Sequence, residues 1–133
     1  MHLATKMRRR LANDESGFTL IELLVVLVII GILLAIAVPS YLGFKDRANK
    51  RAAEADVRAA VPTAEAFYSD NNTYVGMDLP SMKAIDSGLS TALKAPTGLT
   101  GTTYCLNATV GTFDAWFAGP GGVTTLTKPA ACP

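Results

Sequence analysis

Residues 16–38 read SGFTLIELLVVLVIIGILLAIAV, and after Gly17 only Thr19 and Glu22 are polar. As a helix, residues 18–38 would rise about 31 Å, the thickness of a bilayer's hydrocarbon core. The run exceeds the ~7–15-residue apolar core of a secretory signal. It predicts one membrane-crossing helix. Lys6, Arg8, Arg9 and Arg10 precede it, followed by Asp14 and Glu15. Cations favour the cytoplasmic side of a membrane, so residues 1–17 are expected inside and the rest of the chain outside.

The whole chain has 133 residues and a mean hydropathy of +0.29. Twelve Lys and Arg stand against eleven Asp and Glu, a net charge of +1. That balance argues against a nucleic-acid partner, which calls for a basic surface. His2 is the only histidine, and Cys105 and Cys132 are the only cysteines. These three cannot assemble a three- or four-ligand His/Cys metal site. A catalytic triad would have to use His2, at the chain's edge. The composition therefore points to a non-enzyme without metal or cofactor.

Beyond the apolar run the chain divides again. Residues 40–71 have helical periodicity, with Tyr41, Phe44, Ala48, Ala52, Ala55, Ala59 and Ala66 on one stripe. A second strip, Val57, Val61, Ala64 and Tyr68, is expected to carry a small sheet. Asp46/Lys50 and Glu54/Arg58 have the spacing of i,i+4 ion pairs. Residues 72–133 are rich in Gly, Thr, Ser and Pro. Strands are expected at 104–110, 112–118 and 123–127, with a hairpin at Gly111 and a short helix at 80–86. The expected fold is α+β: a long amino-terminal helix, half membranous and half amphipathic, packed on a small antiparallel β-sheet. The segments are 1–17, 18–39, 40–71 and 72–133.

Ser16-Gly17-Phe18-Thr19-Leu20-Ile21-Glu22-Leu23, opening an apolar run after a basic leader, resembles the processing motif of bacterial type IV pilins and type II secretion pseudopilins. The likeness continues through Gly31 and Pro39-Ser40-Tyr41. It implies a leader, 1–17, removed by a membrane-embedded prepilin peptidase that cuts between Gly17 and Phe18 and methylates the new Phe18 amine. Loss of four basic and two acidic residues would take the net charge from +1 to −1. The resemblance implies that Glu22 pairs with the Phe18 amine of a neighbouring subunit, and that the helix loses regularity between Gly31 and Pro39 in a filament. A Pro-kinked, intact helix is equally compatible with these residues. It further implies a helical homopolymer built by a pilus assembly machinery from subunits held in the inner membrane, then displayed as an extracellular pilus.

Two cysteines in an oxidising compartment read as a Cys105–Cys132 disulfide, as in many pilins; two free thiols are the alternative. Asp70, Asn71, Asn72 and Asp78 are oxygen-rich, but a helix stop explains the first three without calcium. Asn71-Asn72-Thr73 and Asn107-Ala108-Thr109 match the glycosylation pattern. Trp116 either faces solvent as an adhesive group or covers the helix. The alternatives to a pilus subunit are a pseudopilin and a minor pilin for adhesion or DNA uptake. For the last, Lys83, Lys94 and Lys128 against Asp78, Asp86 and Asp114 leave no basic groove.

Overall fold

A single helix, α1, covers Leu20–Asn71 in the computed structural model, which describes residues 17–133. The helix continues through Gly31, Pro39 and Pro62. The leader cations and His2 lie outside the described residues. The chain falls into two units that divide between Leu42 and Gly43.

In the first unit no described residue is buried, and the large apolar side chains from Phe18 to Val38 are all at least 46% exposed. This helix is long and apolar enough to cross a membrane. An apolar surface of that extent demands a lipid or protein partner.

In the second unit α1 buries Ala53, Val57, Ala60, Ala64 and Phe67, spaced 4, 3, 4 and 3 residues apart. This spacing keeps one helix face inward. The face meets Leu106, Ala108, Ala115 and Phe117 in one core, with Tyr74, Met77, Met82, Leu89, Leu93 and Tyr104. Val61 and Tyr68 pack at its margin. The predicted sheet-bearing strip is therefore part of the core face. The Ala48/Ala55/Ala59 stripe is exposed instead. Alanines supply little hydrophobic drive, so burial goes to the face that carries Val57 and Phe67.

Neither predicted i,i+4 ion pair forms. Glu54 pairs with Arg51 at 3.1 Å, Lys50 Nζ lies 4.9 Å from the Phe113 ring centre, and Arg58 Nε donates to Thr124 Oγ1. Tertiary partners outcompete pairs worth only about 0.3–0.5 kcal/mol. The helix stops where Asn72 takes a left-handed φ of +58° and its N–H bonds the Tyr68 carbonyl at 2.7 Å. Asp78, unplaced by sequence, caps helix α2 (Leu79–Ile85): its carboxylate accepts from the Ser81 N–H while Ser81 Oγ accepts from the Asp78 N–H.

The sheet is antiparallel in the order β1 (Tyr104–Val110), β2 (Phe113–Gly119), β3 (Thr124–Thr125). The second strand begins one residue later than expected, and the third is far shorter than 123–127. Gly111 turns the hairpin with φ +62°, which a two-residue primed turn requires. At Gly119, paired with Tyr104, the Tyr ring lies on the backbone; an added Cβ would fall 2.2 Å from it. Bridges from Leu93 to Ala108 and Thr97 to Cys105 cover the free edge of β1. Cys105 and Cys132 form a disulfide that ties the tail to this edge. Trp116 has the opposite parity to the core residues Ala115 and Phe117, so it does not cover the helix. It is half-buried, with Lys128 Nζ 5.6 Å from its ring centre.

One polar cluster anchors α1 to the rest of this unit. Tyr104 donates to Glu65 Oε1 at 2.8 Å and Tyr74 to Oε2 at 3.0 Å, within a run of rings from Tyr68 through Tyr74 and Tyr104 to Phe117. Burial, then the Glu65 carboxylate, pushes the Tyr74 phenol up to about 12 and raises Tyr104 further still. A phenol raised above its unfolded value of about 10 stabilises the fold below that pH, and the contribution is lost as pH climbs through the folded value. Stability is therefore expected to fall from about pH 10 upward, with phenolate absorbance appearing as the chain unfolds. Glu65→Gln should cost about 1–3 kcal/mol in denaturant unfolding. Ionisation of Tyr74 and Tyr104 near pH 10 in the still-folded chain would contradict this picture.

Candidate functional site

Gly17, Phe18, Thr19 and Glu22 line one shallow depression of about 370 Å³ at the amino end of α1. Gly17 to Thr19 are not helical, and the helix begins at Leu20. The bond between Gly17 and Phe18 therefore sits in open chain just before the first turn, where a peptidase can hold it extended. No atom lies within 4 Å of the place a Gly17 Cβ would occupy, and Phe18 is 90% exposed.

Thr19 is the residue that the sequence reading overlooked. Its Oγ1 accepts from the Glu22 N–H at 3.3 Å, while a Glu22 carboxylate oxygen accepts from the Thr19 N–H at 3.2 Å. The Thr19 carbonyl accepts the first helical bond, from Leu23, at 3.2 Å. This is a reciprocal capping box, and its signal, Thr-x-x-Glu ahead of an apolar run, stood in the sequence. Through the cap Glu22 acts locally, holding the first turn with its carboxylate directed back toward residue 18. The helix's amino-terminal N–H groups favour a negative charge there as well.

The remaining candidate residues lie elsewhere. Gly31 sits within α1 with nothing within 4 Å of its Cβ position. Pro39 is also helical, and the next residue, Ser40, returns its hydroxyl to the Ile36 carbonyl at 3.4 Å. Cys105 and Cys132 belong to the other unit. Among the described residues no group of three His, Cys, Asp or Glu side chains is placed to hold a metal.

The prokaryotic N-terminal methylation motif, as a sequence family, matches residues 12–38, which include this whole depression. A type IV wide pilus major component of Thermus thermophilus is 30% identical over 133 residues, covering 91% of this chain and 99% of the relative. The type II secretion system core protein G of Pseudomonas aeruginosa is 39% identical over 92 residues, 69% of this chain. The chain spans 57% of the length of that relative. The type IV major pilin protein of Myxococcus xanthus is 41% identical over 60 residues, 45% of this chain and 27% of its own.

Proposed function

This chain belongs to the family of type IV pilins and type II secretion pseudopilins, and from that membership we propose that it is the structural subunit of a type IV pilus. The observation that carries the reading is the uncovered apolar half of α1. It opens on the capped Gly17-Phe18-Thr19-Leu20-Ile21-Glu22 turn, in a chain alignable along nearly the whole of a pilus component. Its role is structural and not enzymatic.

In this proposal residues 18–38 hold the subunit in the inner membrane, leader inside and sheet outside, until a prepilin peptidase cuts at Gly17 and methylates Phe18. The assembly machinery then moves the apolar half of α1 from lipid into a bundle of its own copies. Polymerisation by one repeated head-to-tail contact does not close, so a filament results. Burying the apolar helices drives cohesion, and Glu22 meeting a neighbour's Phe18 amine sets the axial position. An unpaired charge in an apolar bundle is heavily penalised, so a slipped subunit is rejected. Gly31 and Pro39 are the places where the helix would give way, because one adds backbone freedom and the other lacks an N–H.

Mass measurement of the mature chain tests the processing step. The expected species starts at a methylated Phe18; a chain retaining residues 1–17 would defeat the reading. The pseudopilin alternative is favoured by the 39% identity to the Pseudomonas aeruginosa protein. Shearing surface filaments and identifying their main protein separates the two: this chain is expected as the bulk of the filament.

A further inference from the structure

Between Glu22 and Lys45 no residue is charged, an interval of 22 residues. As helix that interval rises about 33 Å, so a bilayer that places Glu22 at one surface places Lys45 at the other. Tyr41 and Phe44, 64% and 71% exposed, fall just inside that second surface, where aromatic rings collect. Four cations then follow within seven residues: Lys45, Arg47, Lys50 and Arg51. Seven residues of helix advance only about 10 Å, roughly one Debye length, so all four lie within reach of headgroup charge.

Three of these cations are gathered. Arg47, Lys50, Arg51, Glu54 and Leu126 line one depression of about 230 Å³. Glu54 is engaged by Arg51, whose side chain is 81% exposed. Among the described residues neither Lys45 nor Arg47 has an ion-pair partner. With Asp46 and Glu54 included, the cluster has a net charge of +2. The cations stand on the side of the membrane where Lys and Arg are ordinarily scarce if the leader lies inside. A local anion would offset that arrangement.

We propose that Lys45, Arg47, Lys50 and Arg51 form a binding site for anionic phospholipid headgroups in the leaflet on the sheet's side of the membrane. The site holds the unassembled subunit at a fixed depth, with Glu22 at the opposite surface, and is vacated when the subunit leaves the bilayer. This inference rests on the membrane stage of the function proposed above.

The test uses the processed chain, residues 18–133, which lacks Lys6, Arg8, Arg9 and Arg10, reconstituted in phosphatidylcholine vesicles carrying traces of spin-labelled phosphatidylglycerol or spin-labelled phosphatidylcholine. The fraction of each label immobilised by the protein is read. The expected result is a preference of about fivefold for phosphatidylglycerol, falling toward unity in high salt. The variant Lys45→Gln/Arg47→Gln/Lys50→Gln/Arg51→Gln should insert and keep its disulfide, yet show no preference in any salt. Equal immobilisation of the two lipids by the inserted native chain would overturn the headgroup site alone. A native chain that inserts in neither vesicle would instead overturn the membrane stage. Equal immobilisation of the two lipids by the native chain, together with lost filaments in the quadruple variant, would reassign the cluster to contact between copies, which also overturns the proposal.

Discussion

Glu22→Gln is expected to give normal amounts of processed subunit in the membrane and few or no filaments. Gln can occupy the last position of the capping box with Thr19, so the first turn of α1 stays intact. The Gly17–Phe18 bond also stays in open chain ahead of the helix, and cleavage continues. Membrane insertion does not suffer, because the substitution removes a charge, which costs about 2.5–3.5 kcal/mol at the bilayer centre and less at the surface where Glu22 lies. What disappears is the negative charge that, in the proposed assembly, meets a neighbour's Phe18 amine. Glu22→Ala removes both charge and cap, and the pair of variants separates the two roles. If Gln assembles and Ala does not, the cap matters and the charge does not. Wild-type filament yield from both variants would remove Glu22 from assembly altogether. The readouts are a blot for processed subunit and microscopy of sheared filaments.

Replacing Cys105 and Cys132 together by Ala should lower the stability of the 43–133 unit by about 3–4 kcal/mol. The two cysteines are 27 residues apart, and the loop they close runs from the second residue of β1 through β2 and β3. Opening it restores that loop's entropy to the unfolded chain and frees the tail from the covered edge of β1. For a unit of this size the loss corresponds to roughly 12–30 °C in thermal midpoint. Both cysteines are buried, so mild reductant should act on the folded chain slowly and on the unfolded chain at once. A double variant melting within about 3 °C of the native chain would mean that the core alone holds the sheet.

Several local elements were legible from residues 16–133 because each depends on near neighbours. The apolar run, the stop of α1 at Asn71, the Tyr104–Val110 strand and the Gly111 hairpin follow from period, length and turn chemistry. The methylation-motif match was legible for the same reason: Gly17, Phe18 and Glu22 lie within six consecutive residues. Thr19 was equally legible through its spacing to Glu22. The cysteine pairing was legible only as one of two readings, and the structure, which bonds Cys105 to Cys132, decides against two free thiols.

Other features were set by contacts between distant parts of the chain. The choice of Ala53 and Ala60 over Ala48, Ala55 and Ala59 for burial cannot be read from alanine periodicity, since the two sets differ mainly in which larger side chains flank them. Arg51 rather than Arg58 pairs with Glu54, because the sheet offers Arg58 a threonine. Glu65, a routine surface residue by sequence, becomes the anchor of two phenols only when the segment from Thr73 and strand β1 arrive beside it. The sequence by itself determined the membrane-length helix, its processing motif and the sheet's local turns, since these rest on interactions spanning a few residues. Only the tertiary structure decided the joining of Ala53, Ala60 and Phe67 to the predicted strip in the buried face, the polar anchor at Glu65 and the short third strand, since each depends on partners tens of residues away whose arrival no local pattern encodes.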